Sequence, residues 1–218
     1  MASKVTKEDV AKGLLSIKAV FLRPDEPFTW ASGIKSPIYC DNRLILSYPE
    51  VRETVESSLT ELIAERFPQV DSIMGTSTAG IAHAAIVGYK LGKPMGYVRG
   101  SAKDHGRKNQ IECRLEPGAK VVVIEDLIST GGSSIECAQV LRDAGAEVLS
   151  VVSIFTYGMA KATVNFEAAG FAHDSLCDFD TLVEVAAAEG YVQPADVARL
   201  RKFRDNPSDE SWISHSEA

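Results

Sequence analysis

VVVIEDLISTGGSS, residues 121–134, is an apolar run that ends in two adjacent carboxylates and passes through small residues into a helix start. Four apolar residues in sequence read as a strand covered on both faces, the habit of a parallel sheet. In the loop Ser129, Thr130, Gly131, Gly132 and Ser133, backbone N–H groups and hydroxyls can converge on a phosphate, while the following helix adds its unpaired N–H groups and positive dipole end. Glu125 and Asp126, at the carboxyl end of the strand, stand where open α/β sheets bind ligands and can accept hydrogen bonds from vicinal hydroxyls. A phosphate site beside a diol site describes a ribose 5-phosphate. The plain alternative, a βα turn with capping hydroxyls and two solvated acids, leaves the paired acids after an apolar run without a purpose. The chain holds neither G-x-x-x-x-G-K-[ST] nor a strand followed by G-x-G-x-x-G, which excludes the P-loop and the dinucleotide fingerprint.

Outward from this stretch, short apolar runs at 70–74, 95–98 and 148–155 alternate with helical segments at 79–91 and 133–145, a βαβ pattern. The expected class is α/β, a parallel-sheet core flanked by helices. An amphipathic helix capped by Thr6, with Asp9 at the third position, carries Val10, Leu14 and Ile17. A second is expected to open at Ser47 and to run from Pro49 and Glu50 to Phe67. Residues 28–49 read as a hood of loops and short strands, and the tail as helices over 182–190 and 195–203. No linker or repeat divides the 218 residues, so one domain is expected, its hood formed mainly by residues 1–48 with the C-terminal helices.

The 23 Lys+Arg against 30 Asp+Glu give a net charge of -7, which argues against nucleic-acid and anionic-membrane partners because both need a basic field. Cys40, Cys113, Cys137 and Cys177 lie far apart, with no C-x-x-C pair to signal a zinc site or a disulfide framework. With a polar N-terminus and no long apolar stretch, the expected location is the cytoplasm.

Two further segments suit anions. MGTSTAGIAHAA, residues 74–85, repeats the strand, small-residue loop and helix, with Thr76, Ser77 and Thr78 as donors for a second anionic group. Residues 97–112, YVRGSAKDHGRKNQIE, carry Arg99, Lys103, His105, Arg107 and Lys108 against the acid Asp104 within 99–110. A cationic loop between strands can close over a polyanion and stabilise charge on a leaving group. His83, His173 and His215 have no ligand-like partners and read as helix, core-edge and tail residues.

IEDLISTGGSS resembles the phosphoribosyl-pyrophosphate signature of the type I phosphoribosyltransferases. Ala102 to Gly106, AKDHG, resembles the catalytic loop of the members that act on orotate, and FTWASGIKSPIY, residues 28–39, resembles their hood. The resemblance covers most of residues 28–156. It implies a five-stranded parallel core with a hood, and a pentosyltransferase that converts orotate and 5-phosphoribosyl 1-pyrophosphate (PRPP) to orotidine 5′-phosphate and pyrophosphate in pyrimidine (UMP) biosynthesis. It implies PRPP contacts from Thr76, Ser77, Thr78, Glu125, Asp126, Leu127, Ile128 and residues 129–133. Arg99, Lys103, His105 and Asp126 are the implied catalytic set, and Ser129 faces orotate. Mg²⁺ is implied on the pyrophosphate and ribose oxygens with no direct protein ligand, as is a homodimer that shares loop 99–110 between subunits.

At Ala31, Gly100 and Tyr157 this chain lacks cations found in some branches, the last being an arginine that contacts the orotate carboxylate. Lys35, Arg43 or backbone donors from Lys35 through Tyr39 to Cys40 are the candidates for that contact. A phosphoribosyltransferase for a purine base would share 121–134 without the loop and hood together. A regulator that senses PRPP and binds nucleic acid would want a basic face or an added domain.

Overall fold

A computed structural model of the chain describes residues 5–30, 33–100 and 110–213. Helix α1 (Lys7–Ser16) starts with the reciprocal box between Thr6 and Asp9. The hood follows as two antiparallel pairs. Strand β1 (Val20–Leu22) pairs with β4 (Ile38–Cys40), and β2 (Phe28–Thr29) with β3 (Lys35–Ser36). A 3-10 segment, Asn42–Ser47, leads into α2 (Pro49–Arg66). This helix starts at Pro49 as expected, with its cap one residue after Ser47. Tyr48 takes the cap position without a side-chain bond, and Pro49, which has no N–H to satisfy, starts the first turn.

The remainder is βαβ: β5 (Ser72–Thr76), α3 (Gly80–Leu91), β6 (Met95–Val98), β7 (Ile111–Glu112), β8 (Lys120–Ile128), α4 (Gly132–Asp143), β9 (Glu147–Thr156), α5 (Ala160–Ala169) and β10 (His173–Asp178). Helices α6 (Phe179–Ala188) and α7 (Asp196–Asp205) close the chain. The sheet order is β10-β9-β8-β5-β6-β7, parallel except for β7, which folds back antiparallel on β6. Both faces are covered. Along β8, Val122 and Ile124 enter the core beneath α1, α2 and α3, while Val121 and Val123 enter the core beneath α4 and α5.

The hood is fixed to the C-terminal helices by Arg199 of α7. Its guanidinium donates to the Pro24 carbonyl at 2.9 Å and the Trp212 carbonyl at 3.0 Å and pairs with Asp25 at 2.9 Å. Beside it the Trp30 ring meets Phe203 edge-on at 5.8 Å. These contacts hold the hood over the carboxyl ends of β8 and β9, the end where such sheets bind ligands.

Two glycines let the loops at that end form. A Cβ on Gly80 would lie 2.3 Å from the Ile124 carbonyl oxygen, so α3 can start only with a bare Cα against β8. Gly131 has φ +80 at the cap of α4, and a Cβ there would strike the Phe166 ring at 2.5 Å. Because the obstacle at Gly80 is backbone, Gly80→Ala is expected to cost about 2 kcal/mol or more of unfolding free energy, read by denaturant titration.

Candidate functional site

β5 and β8 are neighbours, and each ends in a turn of small residues that opens a helix, so the two turns lie side by side. The first runs from Thr76 to Ala79 into α3, and its Ser77–Thr78 peptide bond is cis. The second runs from Ser129 to Gly131 into α4. Asn165 of α5 donates to the Thr130 carbonyl at 2.8 Å and steadies this turn from beneath. Gly132 and Ser133, at the start of α4, are exposed.

Glu125 lies between the turns. Its Oε1 accepts from the Thr76 hydroxyl at 2.7 Å and from the Asp126 N–H at 3.0 Å. Its Oε2 accepts from Ser134 at 3.0 Å and from Ser133 at 3.3 Å. The side chain is buried, and this burial, with the hydrogen bond shared with the Asp126 carboxyl, pushes its pKa up to about 7. Of the two acids, Glu125 thus faces inward and Asp126 is partly exposed at the strand end. Leu127 pairs with Phe155 of β9, and the Ile128 carbonyl accepts from the Tyr157 N–H at 2.9 Å.

The hydroxyls of the first turn are engaged in the frame. Thr76 is buried on Glu125, and Ser77 donates to the Val98 carbonyl at 2.5 Å. What this turn presents to a ligand is therefore its backbone N–H groups, the start of α3 and Thr78.

Arg99 stands where the hairpin from β6 to β7 leaves the sheet. The Arg99 N–H donates to the Gln110 carbonyl at 2.9 Å, and the Gln110 amide returns a bond to the Arg99 carbonyl at 3.2 Å. These reciprocal bonds clamp the two ends of the cationic segment. The Arg99 guanidinium ion-pairs with Glu112 through its buried Nη1 at 3.5 Å, an atom that makes no hydrogen bond to the described residues. Ser77, Arg99, Gly100 and Ser133 line one cleft. Lys103, His105, Arg107 and Lys108 lie outside the described residues, as does Ala31.

On the hood side, Lys35 donates to the Thr29 hydroxyl at 2.8 Å, whereas Arg43 is spent on Asp41 in a two-pronged pair at 2.6 and 2.8 Å. Tyr39 is exposed and packs on Phe28 at 5.6 Å between ring centres. Burial pushes the Cys40 thiol well above its ordinary range, with Asp126 adding to the effect, so it stays a neutral donor. The phenol of Tyr157 is likewise raised by burial. His83, in the first turn of α3, faces α2, where its Nδ1 lies 2.6 Å from a buried Glu56 oxygen. His173 stacks on Phe166; His215 lies outside the described residues.

Residues 47–167 match the phosphoribosyl transferase domain family. The chain is 57% identical over 208 residues to an orotate phosphoribosyltransferase of Bacillus anthracis, covering 95% of this chain and 99% of that one. The chain belongs to the orotate phosphoribosyltransferase family. Among solved structures, an orotate phosphoribosyltransferase from Aeropyrum pernix is similar, with a TM-score of 0.73 and 30% identity over 84% of this chain and 99% of that chain. Leishmania donovani UMP synthase matches with a TM-score of 0.78 and 27% identity, covering 92% of this chain and 42% of that longer one. The family fold accounts for the parallel β10-β9-β8-β5-β6 core and the hood above it.

Sequence reasoning singled out the turns and missed their supports. Ser134, Asn165 and Asn42, whose amide donates to the Asp126 carbonyl at 2.7 Å, carry no motif signal because each acts on a residue remote in sequence or from inside a helix.

The raised Glu125 pKa sets a pH dependence. The folded state retains this proton above the ordinary value of 4.5 up to about 7. Stability tied to the neutral form is complete below about 4.5 and is lost as pH rises through 7. Glu125→Gln does not titrate, so its unfolding free energy relative to the parent should shift in its favour by about 2 kcal/mol between pH 5 and pH 8, measured by urea titration.

Proposed function

We propose that the chain transfers the ribose 5-phosphate group of PRPP to orotate, releasing pyrophosphate, as a step of pyrimidine biosynthesis. The observation that carries this reading is the pair of adjacent anion-binding turns at the ends of β5 and β8 in a chain so similar to a named orotate phosphoribosyltransferase. Two anion cradles with an acid between them suit a sugar with a phosphate at one end and a diphosphate at the other.

In this reading residues 129–133 and the start of α4 bind the 5′-phosphate. The turn Thr76, Ser77, Thr78 and the start of α3 bind the pyrophosphate. Asp126 accepts from the ribose hydroxyls, while Glu125 holds the two turns at fixed separation. The C1′–O bond to pyrophosphate breaks as the bond from C1′ to the orotate ring nitrogen forms, with inversion at carbon, and the proton which that nitrogen carried leaves with the released pyrophosphate. The charge that develops on the leaving group is offset by Arg99, Lys103 and His105 of loop 99–110, which in the dimer come from the neighbouring subunit. A covalent nucleophile is not needed, since orientation and charge stabilisation supply the rate.

Mg²⁺, when bound, neutralises the diphosphate. The oxygen donors fit it: the partly exposed Asp126 carboxylate lies beside the phosphate turn, and a hard cation that keeps its waters is satisfied by substrate oxygens with few protein ligands. Of the hood cations, Lys35 is tied to a neutral hydroxyl whereas Arg43 is neutralised by Asp41, which favours Lys35 as the reader of the orotate carboxylate. Tyr39, with the backbone through Cys40, forms the wall of the base site, and Ser129 its floor. The reading includes a homodimer in which loop 99–110 closes over the partner's site, and a reducing cytoplasm. No helix among the described residues is long and apolar enough to cross a membrane.

The test is an assay of orotate loss with PRPP and Mg²⁺, run beside adenine, hypoxanthine, guanine and uracil. Mg²⁺-dependent consumption of orotate alone is expected, and turnover of a purine instead, or of no base, overturns the reading. In the same assay Lys35→Ala should raise KM for orotate about 10- to 100-fold, the worth of a bond to a charged group, with KM for PRPP unchanged. Lys103→Ala should depress kcat more than it weakens PRPP binding.

A further inference from the structure

Strand β8 runs beyond its neighbour on one side. β5 ends at Thr76, with its last registered pair Gly75 and Ile124, whereas β8 continues to Ile128. In a strand, carbonyls two residues apart point to the same edge, so those of Ile124 and Asp126 both face the side that β5 has vacated. The Thr76 hydroxyl lies 3.2 Å from the first. The second is met from the hood: Asn42, completely buried, donates its Nδ2 to the Asp126 carbonyl at 2.7 Å. The other end of the same amide is also engaged, with Oδ1 accepting from the Cys40 thiol at 3.3 Å. The Asp41 N–H, one residue before, donates to the Ala19 carbonyl at 2.7 Å, so the amide projects from a fixed piece of hood.

We propose that Asn42 is a positioning residue for the transfer reaction, setting the separation between the hood that carries the base and the strand end that carries the ribose. The inference rests on the proposed function. The hood residues Lys35 and Tyr39 belong to the base side and Asp126 to the sugar side, and Asn42 joins the two through one buried amide. Bond formation between base and C1′ requires both partners at near-attack separation, and a displacement of about 1 Å can cost about 100-fold in rate while each partner still binds its own half of the site. Asn42 touches neither substrate, so its loss should appear in kcat with little change in the affinity for either.

The experiment compares the parent, Asn42→Leu, which is isosteric without a donor, Asn42→Ser, too short to reach, and Asn42→Gln, which keeps the amide donor. Thermal unfolding, PRPP affinity by calorimetry, and kcat and KM for orotate are measured on each. The expected result is a fall in kcat of about 10- to 100-fold for Leu and Ser, with PRPP affinity and orotate KM within about 3-fold of the parent, and partial recovery in Gln. If the Leu variant does not fold, the Ser variant decides. Unchanged kcat in a folded variant, or a loss of affinity that accounts for the loss of rate, overturns the inference. A parent that consumes no orotate overturns the function reading and this inference with it, whereas an active parent with equally active variants overturns the inference alone.

Discussion

The buried carboxyl of Glu125 is the point on which the site depends. A parallel sheet delivers two strand ends side by side but does not by itself fix the turns that follow them. Glu125 does so by accepting from Thr76 at the end of β5 and from Ser133 and Ser134 in the first turn of α4, drawing both turns onto one side chain. The cost is a carboxyl held out of water, visible in its raised pKa, and it is offset by a full set of donors. With the Thr76 and Ser77 hydroxyls engaged in holding the frame, the first turn is left with its backbone N–H groups, the start of α3 and Thr78 to offer a ligand.

Around this point the structure solves a closure problem. The β8 strand must project beyond β5 to carry its acids into the cleft, which leaves an unpaired edge. Side chains from elsewhere complete that edge, Thr76 at Ile124 and Asn42 at Asp126. Glycine at position 80 allows the helix after the first turn to pack directly on β8. Arg199 and the ring contact of Phe203 with Trp30 then hold the hood above the site from the C-terminal helices.

Much of this was legible in the sequence because it is local. The run 121–134 carries strand, acids, turn and helix start in consecutive residues, and the capping box at Thr6 and Asp9 is equally self-contained. What was not legible depends on partners far along the chain. The link from Asn42 to Asp126 spans 84 residues, and nothing in CDNRL announces it. Strand β10 reads HDSLCD, with few apolar residues, because it lies at the edge of the sheet, and α5 escaped notice for want of a clear apolar stripe. Ser47 is the better cap by residue type, yet Tyr48 takes the cap because Pro49, which has no N–H to satisfy, forms the first turn. Both acids at the end of β8 look equivalent in sequence. Only the fold distinguishes them, burying Glu125 among hydroxyls and leaving Asp126 partly exposed.

A crystal structure of the chain with PRPP and Mg²⁺ separates the roles of these two acids. The ribose hydroxyls are expected on the Asp126 carboxylate, with Glu125 still bonded to Thr76 and Ser134. A Glu125 side chain turned out of this network and onto the ribose would contradict it.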